Sequence, residues 1–91
     1  DTIVRYGGDE YVIILINTNT IGAQKVAQRI CKNINTTYFL EPINLSLTIS
    51  IGIASCPIHA LSTTQILNKA DKSMYISKKN GGNCYTLCQE R

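Results

Sequence analysis

The sequence has no apolar run approaching the roughly 20 residues that cross a bilayer, so none of its 91 residues is expected to span a membrane. No stretch reads as a signal peptide. The first residue is Asp1 and not Met, which leaves room for an upstream portion, and a cytoplasmic location is expected. No strong excess of one charge is present: nine Lys and Arg against six Asp and Glu give +3. That is too mild for a nucleic-acid partner. Most of the basic residues of the second half fall between Lys69 and Lys79, a distribution suited to a local anion site. The sole histidine, His59, lies in a proline loop with no Ser or Cys nucleophile at a telling spacing, and no role is assigned to it. Five scattered tyrosines form no stacking platform. Repeats, low-complexity segments and interdomain linkers are all missing, so residues 1–91 read as a single small domain with a modest core.

Cysteines are few. Cys31 sits on a helical apolar face and reads as core. Cys56, His59, Cys84 and Cys88 match a zinc pattern only loosely. Reduced thiols of a cytosolic protein are the preferred reading. Asn35-Thr36-Thr37 and Asn44-Leu45-Ser46 match glycosylation sequons, which matter only in a secreted chain.

What is present is ordered by hydrophobic periodicity. Ile3 to Tyr6 is a short β-prone run. "YVIILI", Tyr11 to Ile16, is continuously apolar and predicts a strand buried on both faces. Gly7-Gly8-Asp9-Glu10 links the two as a hairpin. Residues 22–34 predict an amphipathic helix with Ala23, Val26, Ala27, Ile30 and Ile34 on one face. Asn35 to Pro42 reads as a connection, and Leu45 to Ala54 alternates as one long half-buried strand. Ser62-Thr63-Thr64-Gln65 has capping-box spacing. It opens a helix running to about Asn80, with Ile66, Leu67, Ala70 and Met74 as its stripe. Asn80-Gly81-Gly82-Asn83 ends that helix. "CYTL", Cys84 to Leu87, predicts a final short edge strand. The order β-β-α-β-α-β implies an α+β fold, with two helices on one face of a mainly antiparallel sheet.

Two places carry chemistry. Asp9 and Glu10 supply hard oxygen ligands suited to Mg²⁺ beside glycines that allow a nucleotide close to the backbone. On spacing alone a solvated acidic turn is the simpler account. Asp71, Tyr75 and Lys78 share a helix face, and Lys78 near the helix end is placed to hold a phosphate as a point charge. Its competing role is pairing with the helix dipole or with Asp71.

Taken together, "RYGGDEYVIIL", "AQKVAQRI", "LTISIGIA" and "ADKSMYISKKNGGN", in that order, resemble the GGDEF domains, the diguanylate cyclases. The resemblance implies a nucleotide-cyclase, ferredoxin-like core. It also implies condensation of two GTP into cyclic di-GMP with release of pyrophosphate, dependent on Mg²⁺ or Mn²⁺, in bacterial signalling. In that family two domains meet as a homodimer, so that each 3′-hydroxyl attacks the other's α-phosphate. Gly7 and Gly8 would lie against GTP. Asp9 would be a metal ligand and the base, Glu10 a second catalytic metal ligand, and Lys78 a phosphate contact. Asp1 occupies the Asp position of the family's product-inhibition motif R-x-x-D, whose Arg would fall upstream.

The chain departs from the family at three points. Tyr11 replaces a Phe and adds a hydroxyl that needs a partner if buried. Gly82 replaces the Arg of "GRN", removing a fork of donors and weakening GTP binding. The family's first strand, with a further metal-binding Asp, and its guanine-recognising helices have no counterpart here. These 91 residues therefore read as the C-terminal part of a domain whose sensor or regulatory domains lie upstream. The strands that should flank the missing one would expose apolar surface and unpaired backbone. The isolated chain is expected to be poorly stable, associating and inactive. Two alternatives remain: a non-catalytic module that binds GTP or cyclic di-GMP and regulates a partner domain, and a plain α+β domain with an acidic turn.

Overall fold

The computed structural model describes residues 2–7, 10–34, 36–40, 43–59 and 61–89. Strand β1, Thr2–Gly7, pairs antiparallel with β2, Glu10–Ile14, in the register Thr2↔Ile14 to Gly7↔Glu10, with an irregularity between Arg5 and Gly7. Asn17 then turns the chain at φ 54°. Helix α1 covers Thr20–Ile34. It starts two residues earlier than periodicity predicts because Asn19 caps it: the Asn19 Oδ1 accepts from the Gly22 N–H at 2.7 Å.

The stretch after α1 corrects the expected order. Thr36–Leu40 is not a connection but strand β3, antiparallel to β4, Ile43–Leu47. "TTYFL" is rich in the β-branched and aromatic residues that fit a pleated surface. The expected long strand breaks at Thr48 and Ile49, and β5 is Ser50–Ile53. Alternation marks a strand but not its partner: β4 joins β3, while β5 joins β6, Cys84–Leu87, in parallel. The order is β-β-α-β-β-β-α-β. The α+β class holds, with two antiparallel hairpins and one parallel pair.

Helix α2, Thr63–Lys79, opens and closes as its end residues dictate. The Ser62 hydroxyl accepts from the Gln65 N–H at 3.2 Å. At the other end Gly82 N–H donates to the Ser77 carbonyl at 2.9 Å, and Gly81 N–H donates to that of Lys78 at 3.2 Å. Gly81 and Gly82 take φ +105° and +74°, left-handed values that glycine adopts without steric cost.

The core lies where α1 and α2 meet β5 and β6. Ala27, Cys31 and Cys88 are its buried apolar residues among those described. On α2 the predicted stripe of Ile66, Leu67, Ala70 and Met74 is only half-buried, and the buried residues are Ser73 and Ser77. The reason is Gly52. A Cβ there would collide with the Ala70 carbonyl oxygen and the Met74 backbone nitrogen. The helix backbone thus rides directly on β5, and only small side chains fit beneath it.

The β1–β2 hairpin makes no more than marginal contact with other elements. This overturns the expectation that "YVIILI" is buried on both faces. Ile3 is 69% exposed, Ile14 49%, and Tyr11 and Ile16 are exposed too. Both hairpin faces stay open because no described element lies over them. No helix among the described residues is long and apolar enough to cross a membrane.

Candidate functional site

The hairpin sets Gly7 opposite Glu10 across the ladder. Gly7 faces open space, with no atom within 4 Å of the position a Cβ would take. Glu10 is half-buried. Asp1, Gly8 and Asp9 lie outside the described residues. Tyr11 is exposed, so the hydroxyl it carries needs no protein partner.

Lys78 stands on a separate element. It is exposed in the last turn of α2, where a cation is favoured by the carbonyl end of the helix. No ion pair joins it to Asp71 among the described residues. Tyr75, expected to share its face, is engaged by Lys79, whose Nζ lies 5.2 Å from the ring centroid. Lys78 is thus left pointing to solvent from a helix end fixed by the Gly81–Gly82 closure. Among the described residues, the β1–β2 hairpin and α2 share no more than marginal contact.

The chemistry of a divalent cation fits the donors at hand in kind. Glu10 is a hard oxygen ligand beside unobstructed space at Gly7. Cys56, His59, Cys84 and Cys88 do not gather into a metal set: among the described residues no three metal-ligating side chains cluster. None of the four cysteines is in a disulfide. Burial pushes the Cys31 thiol above its ordinary value, and neighbouring Cys84 adds to the shift.

His59 is the residue that sequence reasoning passed over. It is 5% exposed. Its Nδ1 accepts from the Ser55 N–H at 2.7 Å, and its carbonyl accepts from Lys69 Nζ at 2.6 Å. The available signal was a lone histidine four residues after Ser55 around Pro57, a spacing that closes a turn.

Comparison with known proteins places this geometry in a class. The model of the family described as "Diguanylate cyclase, GGDEF domain" matches residues 1–84, and the chain belongs to that family. Diguanylate cyclase A of Treponema denticola is 40% identical over 88 residues, covering 96% of this chain and 24% of that protein. The cyclic di-GMP phosphodiesterase PdeR of Escherichia coli is 32% identical over 79 residues, covering 87% of this chain and 12% of that protein. An EAL/GGDEF domain protein from M. capsulatus superposes with a TM-score of 0.82 at 29% identity, over 97% of this chain and 57% of the solved one. The chain spans about a quarter or less of the length of these curated relatives.

Proposed function

We propose that these residues are the C-terminal part of a diguanylate cyclase domain, which condenses two GTP into cyclic di-GMP and releases pyrophosphate. The observation that carries the reading is the hairpin: Gly7 opposite Glu10, with open space at Gly7 and the Gly-Gly-Asp-Glu sequence spanning the turn.

Each residue has a role that its chemistry suits. Gly7 and Gly8 carry no side chain and admit the nucleotide against the backbone. Asp9 and Glu10 would hold Mg²⁺ or Mn²⁺, which when bound neutralises phosphate charge. Asp9 takes the proton of the attacking 3′-hydroxyl. Lys78 meets a phosphate as a mobile point charge. Because each domain supplies one GTP, catalysis requires a face-to-face homodimer. Asp1 supplies the carboxylate of a product-inhibition site, and the domain works with sensor or regulatory domains, as multidomain relatives do.

A second reading is a regulatory module that binds GTP or cyclic di-GMP without turning it over. Gly82 favours it, because no guanidinium stands there to grip phosphate. So does the likeness to PdeR, a protein named as a phosphodiesterase. Asp9→Ala and Glu10→Gln in the full chain separate the two. Cyclic di-GMP synthesis should fall by about a hundredfold or more, since loss of even an outer-shell metal partner costs ten- to a hundredfold. Unchanged synthesis sinks the first reading, and a regulatory output that survives both substitutions supports the second.

A further inference from the structure

A cleft of about 320 Å³ opens at the start of α1, lined by Thr20, Ile58, His59, Leu87, Cys88 and Gln89. Here β5 ends and α2 has not yet begun. Lys78 stands in the last turn of α2, whose 17 residues span about 25 Å. The cleft is therefore at the opposite pole from Lys78.

His59 gives the cleft its chemistry. His59 is 95% buried as a residue, and its Nδ1 accepts from the Ser55 N–H. That hydrogen bond assigns the ring proton to Nε2. Nε2 makes no hydrogen bond among the described residues, and His59 lines the cleft.

The start of α1 adds further donors to a cleft otherwise lined by Ile58, Leu87, Cys88 and Gln89. Thr20 is the first residue of α1, and its hydroxyl makes no hydrogen bond among the described residues. The Asn19 side chain caps the Gly22 amide and leaves the amides of Thr20 and Ile21, at the positive end of the helix, unsatisfied by it. The first turn of α1 carries no acidic residue, and none lines the cleft among the described residues. Lys69, from α2, adds positive charge on the His59 carbonyl. Gln89 turns its amide N–H to the Leu87 carbonyl at 3.0 Å.

We propose that this cleft binds a small oxyanion, a phosphate or carboxylate group, held by His59 Nε2–H and the first turn of α1. The site is separate from the Gly7–Glu10 hairpin and does not depend on the nucleotide reading. The test is a titration of the full chain with sodium phosphate at constant ionic strength and pH, followed by the ¹⁵N shifts of the His59 ring. A saturating shift at Nε2, with a midpoint on the order of 1–10 mM, is expected. A parallel titration with acetate shows whether the carboxylate is the preferred source. Sodium chloride giving the same shifts, or no saturation with either oxyanion, overturns the proposal. His59→Asn keeps an acceptor for the Ser55 amide, but its shorter side chain places no N–H at the reach of Nε2; the Thr20 and Ile21 amide shifts should then saturate about tenfold more weakly. Thr20→Val, which leaves the ring in place, should also weaken binding, and covers the case in which His59→Asn does not fold. Wild-type affinity in the folded His59→Asn protein, or in Thr20→Val where that one does not fold, also overturns it.

Discussion

Ser77 on α2 is hydrogen-bonded to Ile51 on β5: its hydroxyl, with no exposure to solvent, donates to the Ile51 carbonyl at 2.9 Å. The same oxygen lies 2.7 Å from Thr86 Oγ1 on β6. Since Ser77 has one proton and gives it to Ile51, Thr86 is the donor in the second bond. One buried hydroxyl therefore ties the helix that carries Lys78 to both strands of the parallel pair.

Ser77→Ala removes both bonds and strands the Thr86 hydroxyl without its acceptor. The expected loss is about 1–3 kcal/mol, measured by urea denaturation. Ser77→Ala combined with Thr86→Val should recover part of that loss, because no buried hydroxyl is then left unpaired.

Gly52→Ala tests the close approach of α2 to β5. The new methyl collides with backbone that cannot swing aside, unlike the tip of a side chain. A loss of about 3 kcal/mol or more, or failure to fold, is expected. A thermal midpoint equal to that of the parent would show that α2 does not sit as described.

Gly82→Arg restores a guanidinium after α2. Gly82 sits at φ +74°, and a Cβ would come within 3.2 Å of Ser50 Oγ. The substitution should cost about 1–2 kcal/mol of stability. On the nucleotide reading it should also tighten GTP binding by about tenfold through charged hydrogen bonds. Calorimetry of folding and of GTP binding reads the two effects separately.

Cys31 sets a pH dependence. Its thiol value is raised in the fold by burial, then by Cys84. A raised value means that the folded state resists ionisation. Its contribution to stability is fully present below the ordinary thiol range and is lost as pH climbs through the raised value. Unfolding midpoints should fall on the alkaline side, less so in Cys31→Ala. Iodoacetamide should label exposed Cys56 well before Cys31, followed by peptide mass spectrometry.

Much of this was legible in order along the chain. Asn80-Gly81-Gly82 stops a helix wherever it occurs, and Ser62 caps one with its own hydroxyl, because these effects act within a single turn. The Gly-Gly-Asp-Glu hairpin and the α1 face around Ala27 and Cys31 follow from equally local rules. The Asn19 cap was as local, and periodicity alone looked past it to residue 22.

Pairing and depth were decided elsewhere. Nothing in "LSLTISIGIA" says that its first part pairs with β3 and its second with β6, because a strand's alternation is the same for any neighbour. Nothing in "YVIILI" says that its isoleucines face open space, because apolarity sets the gain from burial and not whether a cover exists. Ser73 and Ser77 lie deepest on α2 because Gly52, far off in sequence, brings the strand against the helix backbone. His59 came to line a cleft only when the ends of β5 and β6 met the start of α1. Local sequence determined the turns, caps and helix faces, where the interacting atoms lie within a few residues of each other. The tertiary structure decided which surfaces are covered and which polar groups converge, because those depend on contacts between residues distant in the chain.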